Sequence, residues 1–325
     1  MNKRIDWIDV AKFFGIYAIY LGHFGTAAGN AYGFVFSYHV PLFFFISGAV
    51  ESLNTQERIG QYILKKTKSL LLPFYLFVFL SAFFGGFQDA LWKAVLKGAV
   101  RNQFYAGSLW FLTCLFAVEV IFALLRKLKH APLILTASVL MYYFAVVYWK
   151  PPRAFYNIDS ALNYLIYFVI GYYTFPAIRK MFELKTNAAK FAFVITGALA
   201  FAYSFCVFKS HDPLNRLYAI PVAGRFFYVL RALIIIWLML VMARILHGVP
   251  MFGELGRNTL YLCGSEYIIK ILVPCAASII GLQVDIQNLM QACIYTAVLL
   301  LLANRYMVPL EQRLLSFMTG LSSKA

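Results

Sequence analysis

Charge is what this sequence has least of. Asp, Glu, Lys and Arg make up 13% of its 325 residues, about half the share found in a soluble globular domain. That scarcity excludes an ordinary cytosolic enzyme, a disordered chain and a small secreted scaffold. Acidic residues are scarcest, 13 against 29 basic ones. The five cysteines (Cys114, Cys206, Cys263, Cys275 and Cys293) stand singly inside apolar stretches with no CxxC pair. They read as packing residues rather than a disulfide framework, and no metal site is expected. Internal repeats, low-complexity tracts and polar linkers are lacking too, so residues 1–325 read as a single integral-membrane domain.

What is present is apolar surface: 62% hydrophobic residues, 18% aromatics and a mean hydropathy of +0.74. This is a membrane protein, with lipid among its partners. The net charge of +16 sits in short clusters between apolar runs rather than on one polar face, so nucleic acid is not an expected partner. Apolar stretches near the length of a membrane-spanning helix, roughly 20 residues, occur at 7–28, 34–52, 67–86, 108–126, 131–149, 160–177, 190–208, 223–246, 258–280 and 288–308. The fold class is therefore all-α, a polytopic bundle of about ten transmembrane helices. Lys12 interrupts the first stretch, which favours an uncleaved span over a signal peptide. Lys and Arg concentrate in alternate connectors and at both ends of the chain, which predicts cytoplasmic termini. In the connector after the third stretch, Asp89, Lys93, Lys97 and Arg101 recur every four residues opposite Leu91, Trp92, Val95 and Leu96. That pattern predicts an amphipathic helix lying on the outer membrane surface.

Ionisable residues inside spans cost roughly 2.5–3.5 kcal/mol each at a helix centre, so each needs a reason. The first span holds Asp9, Lys12 and His23. Eleven helical steps bring Lys12 and His23 to within about 20° of one face, near Gly15 and Gly22, whose missing side chains admit another helix or a thin ligand. Running back from outside, the second span puts His39 at nearly the depth of His23, and paired histidines at one depth point to function. Lys65, Lys66 and Lys68 cluster before the third span. Lys12 and Lys68 lie slightly inside their apolar runs, where together they could hold phosphate groups. Glu119 falls near mid-membrane, and Glu266 and Lys270 at i, i+4 are expected to neutralise each other.

IDWIDVAKFFGIYAIYLGHFG followed by FSYHVPLFFFISGAV, with KKTKSLLLPFY at 65–75, LWFL at 109–112 and LGRNTLYL at 255–262, resembles the membrane-bound acyltransferase family 3. The branch it is most similar to is that of fucose 4-O-acetylases and related sugar O-acetyltransferases. The resemblance implies a ten-helix enzyme of a bacterial cell membrane that moves an acyl group, usually acetyl, from cytoplasmic acyl-CoA to a hydroxyl of a surface or lipid-linked sugar. It implies His23 as the catalytic histidine, Lys12 at the position of the family's Arg or Lys, and Lys65 and Lys68 as its basic pair, with Lys66 able to stand in for Lys65. The sequence departs from the pattern in carrying Lys rather than the commoner Arg at 12, and Glu266 where many members have histidine.

Acyl transfer to an alcohol needs a base, and an imidazole with an ordinary pKa of about 6.5 suits the task. Asp9 lies about 21 Å from His23 along a helix, too far to orient it, whereas His39 could orient His23 or meet the sugar. The alternative class is a polytopic transporter of a glycan or small anionic metabolite, against which stand the lack of a hydropathy repeat and of matched broken helices.

Overall fold

The structure, a computed structural model, describes residues 4–54, 58–86, 88–97, 107–149, 154–183 and 186–319. The described residues contain helices and turns and no strand. In order these are α1 (Asp6–Gly22), α2 (Asn30–Phe36), α3 (His39–Glu51), α4 (Ile59–Lys66), α5 (Leu72–Gly85), α6 (Gln88–Lys97), α7 (Trp110–Leu125), α8 (Ala131–Phe144), α9 (Ile158–Phe182), α10 (Asn187–Phe208), α11 (Gly224–Leu246), α12 (Pro250–Arg257), α13 (Thr259–Ile279), α14 (Leu289–Leu302) and α15 (Val308–Thr319).

Every one of the ten expected spans contains a helix, and eight helices among the described residues are long and apolar enough to cross a membrane. The other two, α1 and α7, have 17 and 16 residues and are about 25 Å long, a little short of the hydrocarbon core. The second span is not one rod. It turns at Ser37 and Tyr38 between α2 and α3, and the cause is Pro41. In an unbroken helix its ring would meet the carbonyl of Ser37 and remove a backbone bond; starting α3 at His39 puts the proline in a first turn, where its missing N–H costs nothing. Prolines explain other irregularities. π-helical turns at Thr67–Leu71 and Ala303–Met307 precede Pro73 and Pro309, and contain Ser69 and Arg305, whose carbonyls those rings would otherwise strike. The amphipathic connector forms α6; Arg101 lies outside the described residues.

The chain divides into two compact units. One comprises residues 1–54, 166–257 and 287–293, and the other the remainder. In the first, α1 packs against α3, α11 and α12. Contacts there are at backbone level: a Cβ at Gly256 would strike the carbonyl of Asp9, one at Gly48 the carbonyl of Phe168, and one at Gly171 the carbonyl of Phe45. The Gly48 and Gly171 contacts are reciprocal and draw α3 and α9 together, the small-residue logic of membrane helix pairs. Trp7 closes one end against Phe175 and Phe182, with ring centroids 5.8 and 4.9 Å away.

In the second unit Phe74, Phe77, Val78, Leu109 and Leu112 form a core joining α5 to α7. Gly264 of α13 lets the Phe77 ring lie against its backbone. Asn157, fully buried at a φ of +54°, donates to Thr113 Oγ1 at 2.9 Å and fixes the entry to α9 against α7.

Gly48→Ala or Gly171→Ala will force α3 and α9 apart and cost about 1–3 kcal/mol, an overpacking penalty. Gly60→Ala in α4, where an added Cβ meets nothing within 4 Å, will cost nothing. Thermal unfolding of the three variants in detergent measures the contrast.

Candidate functional site

In the first unit α1 carries polar groups at both ends. Asp9 is buried, 3% exposed, and is gripped by Arg4, whose Nε and Nη2 lie 2.6 and 3.2 Å from its two carboxylate oxygens. Lys12 Nζ lies 3.4 Å from the same carboxylate, one helical turn on. Two cations, Arg4 and Lys12, thus share one buried carboxylate and are held in a fixed place, with the exposed Asp6 in the same first turn of α1 balancing the second of them. The sequence reading left Asp9 without a role and missed Arg4; the carboxylate is the tether that positions both cations.

At the other end, α1 stops at Gly22 and His23 caps it, its backbone N–H bonded to Ile19 O at 3.3 Å. The His23 side chain is exposed, whereas His39, first residue of α3, is 4% exposed. His39 Nδ1 lies 2.7 Å from Val35 O; a carbonyl only accepts, so this nitrogen carries the proton and Nε2 keeps its lone pair. The two imidazoles flank one ring. Phe36 lies 6.4 Å from His23 and 5.0 Å from His39, centroid to centroid, the latter edge-on. The structure thus gathers the paired histidines about Phe36 of α2.

Of the two uses open to the glycines of α1, close helix approach is the one realised. A Cβ on Gly15 would meet the Phe43 ring at 2.6 Å, and one on Gly22 would meet Val35 and Phe36 at 3.0 Å. The strip beside them is filled by α2 and α3 side chains, so it is not a channel for a thin ligand.

In the second unit the basic run spreads over α4 and the π-helical turn that follows. Lys65 and Lys68 are exposed. Lys66 turns inward onto the buried carboxylate of Glu119 in α7, which also accepts from Tyr62 Oη at 2.8 Å. Lys66 and Arg126 both lie over the Tyr62 ring, 5.1 and 5.5 Å from its centroid. Glu119 therefore locks α4 to α7, a partnership its sequence position gave no sign of. Glu266 and Lys270 pair at 2.8 Å, as their spacing implied.

Comparison with known proteins adds one finding. The model of the family described as an acyltransferase domain matches residues 5–303, nearly the whole chain. No curated protein and no solved structure matches.

Removing Lys66 takes a salt-bridge partner from the buried Glu119 carboxylate. Lys66→Met will therefore cost about 3–5 kcal/mol of stability, while Lys65→Met and Lys68→Met will change it by less than about 0.5 kcal/mol. Denaturant titration of the three variants in one detergent decides this.

Proposed function

The chain belongs to acyltransferase family 3, and from that premise we propose that it is a multi-pass membrane O-acyltransferase in which His23 is the general base. The donor is acyl-CoA from the cytoplasm, acetyl-CoA in the simplest case, and the acceptor is a hydroxyl of a surface or lipid-linked sugar, as the resemblance to the sugar O-acetyltransferase branch implies. A bacterial inner membrane, with both termini on its cytoplasmic side, fits this reading. The observation that carries it is the family match over residues 5–303 together with Lys12 in the second turn and His23 at the C-cap of one unbroken helix.

In this mechanism His23 takes the proton of the sugar hydroxyl as its oxygen attacks the thioester carbonyl. The tetrahedral intermediate collapses, the C–S bond breaks, and the imidazolium returns the proton to the leaving CoA thiolate. The Nδ1–H of His39 is committed to Val35 O, so the ring and its Nε2 lone pair are held in one orientation. That is suited to accepting a bond from His23 or from the acceptor, and the Phe36 ring lies beside both histidines. Lys12 supplies charge for the CoA phosphates, with Asp9 and Arg4 setting its position. Lys65, exposed on α4, and Lys68, exposed on the turn before α5, are further phosphate ligands; Lys66 holds Glu119 and contributes by ordering that segment.

Purified in detergent, a single compartment, the protein will consume acetyl-CoA, which a transporter will not. His23→Ala will lower transfer by about 10²–10⁴-fold, the usual value of a general base. Lys12→Ala will raise the KM for acetyl-CoA, and Lys12→Arg will retain it, since either cation meets a phosphate. Activity of His23→Ala above about a tenth of wild type contradicts the assignment.

A further inference from the structure

A cleft of about 320 Å³ opens in the first unit where α2 meets the loop joining α10 to α11. On one side lie Gly29, Asn30 and Gly33; facing them are Asp212 and Asn215 of the loop and Arg231 of α11. The loop that builds the cleft is braced from within. Asp212 accepts from Tyr203 Oη at 2.9 Å, from the Leu214 N–H at 2.9 Å and from Tyr218 Oη, and faces Arg231 Nη1 at 3.5 Å. Burial pushes the Asp212 carboxyl upward, but these donors outweigh it and hold the group below the usual carboxylate range. Arg231 lies over the stacked rings of Tyr218 and Tyr228, 5.5 and 5.2 Å from their centroids. Ser210, another lining residue, sits at a φ of +62°, a strained backbone that such bracing sustains.

With four donors on its two oxygens, Asp212 has no lone pair to spare and acts as the brace. Arg231 is different. Its Nε is buried and has no hydrogen-bond partner among the described residues, an expensive omission in a finished core. The cleft therefore offers a ligand two carboxamides that both donate and accept beside Arg231, and open space over its glycines, since a Cβ on Gly29 or Gly33 would meet nothing within 4 Å, with Phe34 and Val207 as its apolar lining. Its one lining cation and one lining anion cancel. Such a lining suits an uncharged ligand dense in hydroxyls and gives no surplus charge for a phosphate or carboxylate. The volume is at the lower end of the range of small-molecule sites, room for a sugar ring rather than an extended chain. The location also matters. Gly33 lies one turn, about 4.5 Å, from Phe36, the ring that touches both His23 and His39.

We propose that this cleft is the acceptor subsite, and that it takes an uncharged glycosyl ring whose hydroxyls meet Arg231, Asn30 and Asn215. The assignment of the ring as acceptor rests on the acyltransferase reading.

The test uses the full chain in an amine-oxide detergent, because glucoside and maltoside headgroups would compete. Binding of methyl β-D-glucopyranoside, methyl β-D-galactopyranoside and glucose 6-phosphate is read by saturation-transfer NMR, and acetyl-CoA turnover is read in parallel. The expected result is saturable binding of a methyl glycoside, tighter than that of the phosphorylated sugar. Affinity will fall at least tenfold in Arg231→Gln and in Gly33→Leu, whose side chain occupies the open space. Gly33→Leu alters no packed contact, so a melting temperature near that of wild type separates blockage from unfolding, even if Arg231→Gln disorders the loop. Unchanged glycoside binding in a folded Gly33→Leu, preference for the phosphate, or no glycoside binding overturns the proposal. Turnover of acetyl-CoA without glycoside binding removes the cleft and spares the acyltransferase reading. Glycoside binding blocked by both variants without turnover removes that reading and keeps the sugar site.

Discussion

The packing of α1 is the constraint on which the rest of the first unit depends. A helix bearing a buried carboxylate can sit in an apolar bundle only if that charge is met, and Arg4 and Lys12 meet it. With the charge neutralised, Gly256 brings α12 onto the backbone at Asp9, while Gly15 and Gly22 accept Phe43, Val35 and Phe36. The helix is thereby clamped along its length. Eleven steps of rigid helix, about 16 Å, separate Lys12 from His23, so the two side chains are held at a fixed spacing.

The two ends of α1 then divide the chemistry. One end offers two cations fixed on a buried carboxylate, the other an exposed imidazole beside an aromatic ring and a second, buried imidazole. The short helix α2 returns from His23 and presents Phe36 towards the histidines and Gly33 towards the cleft, so donor, base and acceptor would follow one another along a continuous stretch of about thirty residues. The cost of this arrangement is visible elsewhere, in the break at Ser37 and Tyr38, in the left-handed backbone of Ser210, and in the unpartnered Arg231 Nε.

Much of this was legible in the sequence because it rests on one-dimensional rules. Apolar length and charge depletion marked stretches that each contain a helix, eight helices among the described residues being long and apolar enough to cross a membrane, and the i, i+4 spacing of Glu266 and Lys270 announced their pairing. The histidines came from the cost of polar groups in a bilayer together with the rise per residue. Other features depend on contacts distant in the chain, which no local pattern carries. The Lys66 to Glu119 pair joins residues on α4 and α7, and looked like membrane anchoring beside Lys65. The Asp212 and Arg231 cluster hides in a polar loop that reads as an ordinary connector. The break in the second span was within reach, since Pro41 sits inside the apolar run, and hydropathy alone passed over it. Gly15 and Gly22 were recognised as places of close approach, but only coordinates show that phenylalanine rings fill them.

The central claim is that the acyl group of bound acyl-CoA lies at His23. Photolabelling with an acetyl-CoA analogue carrying a diazirine in the acyl chain, followed by peptide mass spectrometry, tests it most directly. The account predicts labels between Tyr20 and His39, abolished by excess acetyl-CoA. Competable labels confined to residues outside the first unit would contradict it.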